Sequence, residues 1–396
     1  MIATRDTAGV SLPDAAAPAR VALVVTSTLV VRWFLLDHIR TLARSFAVTL
    51  IVNNDAPELA ALLPCRILSL RLERDIAPLA DLRALTWLWR HFRAERYQLV
   101  HTLTPKAGLL GMLAARLAGV PCRLHTFTGQ VWATRRGPMR TLLKTADRVI
   151  SASATHLLAD SFSQRDFLVA QGIVDPAKAN VLGQGSVSGV DATRFRPDAT
   201  KRGQLRAELA IPDAATVFLY LGRLKRDKGV LDLARAFALC SDDTSQSRLL
   251  LVGPDEDGLL PEVERICSAC RSHLHVAGYS GEPERYLAAS DVLCLPSYRE
   301  GFGLVIIEAA AAGLPAIGSR IYGITDAIVE AETGLLFEAG DVRQLAQSLR
   351  TLAGDANLRR RMGQSARERA LRDFAQAQLT AALLAHYRQI LARTGR

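Results

Sequence analysis

PSYREGFGLVIIEAAAAGLPAIGSR, residues 296–320, decides how the rest of this 396-residue chain is read. Its first residues close the apolar run DVLCLPS (291–297), which has the length and composition of a buried strand. An acidic, glycine-rich turn, Arg299-Glu300-Gly301-Phe302-Gly303, leads into an alanine-rich helix over 303–313, and LPAIGSR (314–320) reads as the next strand. Strand, turn, helix, strand is the unit of a parallel sheet. The backbone N–H groups of Gly301, Phe302 and Gly303 have no partner inside the helix they open. At the carboxyl edge of a parallel sheet they make a site for an anion or a polar ligand. Glu300 and Glu308, eight residues apart, fall in the loop and about one turn into the helix, two acids at different depths suited to two sets of hydroxyls. The same spacing also allows Glu300 to be a helix cap and Glu308 a buried structural acid; spacing alone leaves both readings open.

Working outward, the same alternation recurs. TVFLYLGRL (216–224), SRLLLVG (247–253) and HLHVAGY (273–279) read as strands, with helices over 228–240 and 260–271. The first half repeats it: strands at 21–27, 46–53, 65–70, 97–104 and 122–129, helices over 33–45, 77–94 and 106–118. RVISAS (148–153) and a helix near 154–172 follow, and an amphipathic helix over 374–392 ends the chain. The fold class expected is α/β, with two Rossmann-like halves. The boundary is placed after Pro197, where DATKRG is polar and turn-prone. The domains expected are a loose leader 1–20, an N-terminal domain 21–197, a C-terminal domain 198–373, and a helix 374–396 packing back on the N-terminal domain.

Composition narrows the function. Hydrophobic residues are 49% and charged residues 22% of the chain, as in globular proteins. The net charge of +10 suits nucleic acid, an anionic membrane surface or a phosphate-rich substrate. The charge is spread along the chain and no nucleic-acid-binding signature accompanies it, so no nucleic-acid partner is expected. Val21–Val31 is too short to span a membrane. Of six cysteines, Cys267 and Cys270 form a lone C-x-x-C with no second pair, read as helix residues, and the pattern suits a reducing compartment. The expected location is the cytoplasm, with a peripheral place at the inner face of the plasma membrane also open. No His or Cys cluster has zinc-ligand spacing, and neither a Walker loop nor a nucleophile elbow occurs.

Two further groups carry candidate chemistry. Gly222-Arg223-Leu224-Lys225-Arg226-Asp227-Lys228-Gly229 lies between a strand and a helix, where Arg223 can meet a diphosphate as a fork and Lys228 as a point charge. A solvated charged turn is the alternative. His101 and His125 each stand near a strand end, in VHTLTPKAG and LHTFTGQ, and either can be an ordinary structural histidine.

Together these segments resemble the retaining family-4 glycosyltransferases of GT-B architecture, over about 21 to 390. The resemblance rests on the two glutamates of REGFG…EAAAAGLP, on GRL..DKG (222–229), on GVD..RF.P (189–197) and on YSGEPERYLAASDVLCLPS (279–297), in that family's order and spacing. It implies two Rossmann-like domains facing across a cleft and transfer of a sugar from a nucleotide-sugar donor, preferably a UDP-sugar. Gly222, Arg223 and Lys228 would then hold the diphosphate and Glu308 the ribose. Glu300, with Gly301, Phe302, Gly303 and Leu304, would hold the sugar, and His125 would orient it from the other domain. Charge growing on the leaving diphosphate would be met by Arg223 and Lys228, a role that calls for no metal or other cofactor. The chain departs from many relatives after the first strand, where Thr26-Ser27-Thr28-Leu29 replaces a glycine-rich loop. HTLTPKAGLLGMLAARLAGVP (101–121) and HTFTGQ (125–130) more narrowly resemble bacterial transferases that build capsule, exopolysaccharide or O-antigen repeats. The partner this implies is a polyprenyl-diphosphate-linked sugar acceptor. WATRRGPMRTLLK (132–144) mixes Arg135, Arg136, Arg140 and Lys144 with Met139, Leu142 and Leu143. It suits contact with an anionic membrane, or else a solvated helix face. A soluble acceptor, or nucleotide-sugar binding without catalysis, are the competing functions.

Overall fold

The structure, a computed structural model, describes residues 18–53, 57–72, 76–240 and 246–394; of the leader expected over 1–20, residues 1–17 lie outside these. Strands β1 (Arg20–Val25), β2 (Ala47–Val52), β3 (Arg66–Ser69), β4 (Leu99–Leu103), β5 (Cys122–Phe127), β6 (His156–Ala159) and β7 (Ala179–Val181) form one sheet in the order β3-β2-β1-β4-β5-β6-β7. Strands β8 (Thr216–Leu221), β9 (Ser247–Val252), β10 (Leu274–Gly278), β11 (Val292–Leu295), β12 (Ala316–Ser319) and β13 (Gly334–Phe337) form a second in the order β10-β9-β8-β11-β12-β13. Every pairing is parallel. The α/β class and the two Rossmann-like halves are as expected. In both sheets the strand order reverses beside the first strand, at β1–β4 and at β8–β11. Helices there leave on opposite faces and a crevice opens at the carboxyl ends.

Each sheet is buried on both faces, which is why its strands read as unbroken apolar runs rather than alternating ones. Within β1, Ala22 and Val24 face the layer built with the helices Pro78–Glu95 and Pro105–Leu117. Val21, Leu23 and Val25 face the other layer, which the C-terminal helix Gln376–Thr394 completes with Leu383, Tyr387 and Ile390. That helix starts far along the chain yet belongs to the first sheet's core. The two chain passages between the sheets touch: Val190 N–H donates to Phe374 O at 2.8 Å, and Gln376 N–H to Val190 O at 3.0 Å.

Two local expectations are corrected. RVISAS (148–153) is the end of the helix Gly137–Ser153, and β6 follows a few residues later. The helix expected near 154–172 is confined to Phe162–Ala170, behind its cap Ser161. DATKRG (198–203) is not a turn. The Asp198 carboxylate accepts the Lys201 N–H at 2.9 Å and caps the helix Ala199–Glu208. Local polarity marks both a turn and a capped helix start, and only the residues that follow separate them.

Candidate active site

β8 and β11 are neighbours at the switch point of the second sheet, and the loops leaving them carry the two strongest sequence signals. The β8 loop closes in a turn of 3-10 helix, Arg226–Lys228, followed by Gly229 at φ +69°. A Cβ at Gly229 would stand 2.0 Å from Pro296 O, so only glycine lets this turn press against the end of β11. The close approach sets Lys228 beside Glu300. Lys228 Nζ donates to Glu300 Oε1 at 2.6 Å, and Ser297 Oγ donates to the same oxygen at 2.8 Å. Glu300 is therefore not a helix cap: Gly303 holds the cap position of the helix Leu304–Ala311, with no side-chain cap. The backbone N–H groups of Gly301, Phe302, Gly303 and Leu304 have no acceptor among the described residues. The Phe302 ring packs edge-on against Phe374, 5.2 Å between centroids, and ties the loop to the returning chain passage.

Glu308 lies within the helix, and among the described residues its carboxylate takes no hydrogen bond. Burial pushes its carboxyl up to about 8, against the pull of the Arg194 guanidinium. An acid left this way is suited to accept from paired hydroxyls, which favour its ionised form. If ribose hydroxyls do donate to it, donor binding releases up to one proton below pH 8. Affinity then rises with pH, at most tenfold per unit, and levels off above about 8. Calorimetry of nucleotide binding in buffers of different ionisation enthalpy reads the proton directly. Glu308→Gln should abolish the release, and an unchanged release would remove Glu308 from the site.

Arg223 is not gathered with this pair. Its guanidinium meets Glu256 at 3.1 Å, and Lys225 meets the same acid at 3.3 Å. Gly222 accompanies it at the end of β8, donating its N–H to Val252 O at 2.9 Å. The structure thus unites Lys228, Ser297 and Glu300 and leaves Arg223 at the rim.

The carboxyl edge of the first sheet faces this loop. Arg299 donates to Gly129 O at 3.3 Å while pairing with Asp227 at 2.9 Å, and Ser161 Oγ donates to Gly301 O at 3.0 Å. A Cβ on Gly301 would fall 2.7 Å from Asp160 Oδ2 and 2.9 Å from Gly129 N, so glycine is needed for the two halves to approach. Asp160 is buried, its Oδ1 has no partner among the described residues, and burial pushes its carboxyl up to about 8. Asp326 of the second half caps the first half's helix Phe162–Ala170, accepting the N–H groups of Phe162 and Ser163 at 3.0 and 3.2 Å.

The parallel register sorts the two histidines. Thr102 is opposite His125, so His101 and His125 point to opposite faces. His101 is satisfied at both nitrogens, Nδ1 with Tyr387 OH at 2.6 Å and Nε2 with Thr126 Oγ1 at 2.8 Å; it is a core residue. Among the described residues His125 is held only at Nδ1, by Thr102 Oγ1 at 2.8 Å, and burial lowers its ring to about 3, so it is neutral near pH 7. It lines a pocket with Thr128 and Gly129, the segment that touches Gly301. After β1, Ser27 caps the helix start by accepting the Leu29 N–H at 3.2 Å, and Thr26 and Thr104 hydroxyls meet at 3.0 Å across the switch point. In the basic run 132–144, Trp132 is buried with Nε1 donating to Asp147 at 2.6 Å, so it does not reach outward. Met139 and Leu142 are exposed.

Sequence reasoning missed Ser297, Arg299, Asp147, Asp160 and Asp326. Ser297 and Arg299 flank Glu300 and carried a signal of position. Asp147 and Asp326 pair with residues outside their own neighbourhoods and Asp160 is buried against the other half, so these acids carried none. Among the described residues, no group of three or more His, Cys, Asp or Glu side chains is arranged to hold a metal ion. No helix there is long and apolar enough to cross a membrane.

Comparison with known proteins agrees with this architecture. Residues 31–185 match the family model described as a glycosyl transferase 4-like domain, and 201–369 that of glycosyl transferases group 1. The capsular polysaccharide biosynthesis glycosyltransferase CapM of Staphylococcus aureus is 29% identical, over 76% of this chain and 80% of its own. The UDP-Gal:alpha-D-GlcNAc-diphosphoundecaprenol alpha-1,3-galactosyltransferase of Escherichia coli is 30% identical, over 71% and 73%. The D-inositol 3-phosphate glycosyltransferase of Streptomyces avermitilis is 32% identical, over 70% and 62%. Among solved structures, Anabaena HepE in complex with UDP superposes with a TM-score of 0.77 at 18% identity, covering 94% of this chain and all of that one. The chain belongs to the glycosyltransferases that join a 4-like domain to a group 1 domain in the GT-B fold.

Proposed function

We propose that this enzyme moves a hexose or N-acetylhexosamine, with retention of configuration, from a UDP-sugar to a lipid-linked saccharide in the synthesis of a cell-surface polysaccharide. The observation that carries the reading is the pairing of Lys228 with Glu300 at the β8–β11 switch point, under the open N–H groups of Gly301 to Leu304. Lys228, joined by Arg223 once it leaves Glu256, would meet the charge that grows on the departing diphosphate. Glu300 and the loop N–H groups would hold the sugar, Glu308 the ribose, and neutral His125 would donate or accept from across the cleft. The capsular and diphosphoundecaprenol relatives support the lipid-linked acceptor. The helix Gly137–Ser153 supports a peripheral place at an anionic membrane, because it exposes Met139 and Leu142 beside Arg135, Arg136 and Arg140.

A water-soluble acceptor is the second reading, favoured by the inositol-phosphate relatives. One experiment separates them. Nucleotide release is measured for a panel of nucleotide sugars with a short-chain lipid diphosphate of N-acetylglucosamine, in detergent or in phosphatidylglycerol vesicles, and with inositol 3-phosphate. The reading expects release from a UDP-sugar, stimulated by the lipid-linked acceptor, and an α-linked product from an α-linked donor. Stimulation by inositol phosphate alone would replace it.

A further inference from the structure

The two halves meet around Gly301 with almost no side chain between them. A Cβ on Gly129 would stand 3.1 Å from Gly301 N, and one on Gly185 would stand 2.8 Å from Asp160 O and 3.1 Å from the Phe302 ring. Gly129 and Gly185 of the first half thus press directly on the loop that carries Glu300. Into this seam the first half puts Asp160, the residue after β6. It is only 5% exposed, and its Oδ2 would lie 2.7 Å from a Cβ on Gly301. Its Oδ1 has no partner among the described residues.

No positive charge compensates this acid. The segments 128–130 and 182–188, which pack on it from its own half, carry no charged side chain. His125 on the neighbouring strand β5 is neutral near pH 7, and Arg165 on the helix that follows pairs with Asp166. From the second half, Arg299 is taken by Asp227, Lys228 by Glu300 and Arg320 by Glu330, and Asp326 accepts the N–H groups of Phe162 and Ser163. Burial alone governs the Asp160 carboxyl and pushes it up to about 8. The physical reason is general: a carboxylate buried without a partner is costly, and it takes up a proton instead.

The seam gathers three more buried polar atoms without partners among the described residues, Arg299 Nε, Asp227 Oδ1 and Tyr322 Oη. Arg299 reaches Gly129 O across it, and the Tyr322 ring stacks on Phe167 of the first half, 4.4 Å between centroids. Such atoms cost free energy while buried and recover it when water reaches them. Four at one junction mark a contact that gives way before either core does. Parted from Gly301 and wetted, Asp160 returns to the ordinary carboxylate range, near about 4.

We propose that closing the cleft takes up one proton at Asp160, so that acid favours the closed enzyme and alkali loosens it. Between about pH 4 and pH 8 the open form is ionised at this residue and the closed form is protonated. The closure constant then falls as pH rises, by at most about tenfold per unit, and levels off above about 8. His125 stands on the first half and Lys228 and Glu300 on the second, so transfer across the cleft draws on the closed form. The inference goes beyond the reading above and holds for any donor or acceptor. The proton taken up at Asp160 and the one released at Glu308 belong to different steps, and Asp160→Asn and Glu308→Gln remove them one at a time.

Asp160→Asn keeps the shape of the protonated acid and cannot ionise. Small-angle X-ray scattering of the nucleotide-free enzyme, from about pH 6 to about pH 9, reads the separation of the halves. The wild-type radius of gyration is expected to grow with pH up to about 8 and then hold, while Asp160→Asn stays compact throughout. In steady-state nucleotide release the ratio of variant to wild-type rate grows over the same range, by at most about tenfold per pH unit. A residue needed only for packing would instead lower the melting temperature and cost the same factor in rate at every pH, and that result overturns the proposal. So does a wild-type radius of gyration that is flat across the range in folded protein, a measurement that needs no variant. Asp160→Ser also cannot ionise and shares the flat profile; if it follows the wild-type curve, the proton lies elsewhere and the proposal falls.

Discussion

Lys228→Ala is expected to lower kcat about 10²–10³-fold, the loss typical when one donor to a developing anion is removed. The ammonium sits 2.6 Å from Glu300, and both side chains are only about 15–16% exposed. Charge interactions are stronger there than in bulk water. On the proposed role two effects add in the variant: the leaving diphosphate would lose a cation, and Glu300 would keep only the Ser297 hydroxyl among the described residues while a second anion arrives beside it. Removing one partner of a part-buried pair costs more than the pair itself contributes. Glu300→Gln is therefore milder in its electrostatic cost, though it weakens the hold on the sugar. The double variant Lys228→Ala/Glu300→Gln should be less impaired than the product of the two single losses, because the repulsion is gone. Steady-state nucleotide release with the melting temperature followed in parallel checks this. A kcat within threefold of wild type in a folded Lys228→Ala protein would move the diphosphate elsewhere, and Arg223 with Lys225 would be the next place to look.

Tyr387→Ala is expected to cost about 3–5 kcal/mol of stability, in the range for a large aromatic side chain removed from a core. Tyr387 is fully buried on the C-terminal helix against β1 and β5 residues such as Leu23 and Leu124, and its hydroxyl meets His101. Losing it opens a cavity and strands a buried imidazole nitrogen. Tyr387→Phe strands the nitrogen without the cavity and should cost about 1–3 kcal/mol. At roughly 2–4 °C per kcal/mol, the alanine variant should melt on the order of 10 °C lower. The His101 face is opposite the His125 face, so kcat at low temperature should be little changed. A loss below about 1 kcal/mol by thermal and urea unfolding would mean that the helix is only loosely seated.

Much of this was legible beforehand because parallel sheets buried on both faces leave unbroken apolar runs, and their glycine-rich carboxyl ends stand out between them. Glu300, Glu308, Lys228 and the loop glycines were singled out as candidates on that ground, and the structure brings Lys228 and Glu300 together. Where polarity had two meanings, as at 198–203, the local signal misplaced the element. The alternative of Glu300 as a helix cap fell only when Gly229 was seen against Pro296 O, because that contact decides where Lys228 points. His101 and His125 looked alike in sequence and were separated by a register that no local pattern encodes.

The sequence by itself determined the two α/β halves, their order, and the glycine-rich loop after β11 with its two glutamates, since periodicity and turn chemistry are local properties of the chain. Tertiary structure decided the partners: Glu300 with Lys228, His101 with Tyr387, Asp147 with Trp132, Asp326 with the helix of the other half. Burial and charge pairing depend on which residues the packed strands and helices bring within a few ångströms, and residues as far apart as His101 and Tyr387 carry no trace of that meeting in their own neighbourhoods.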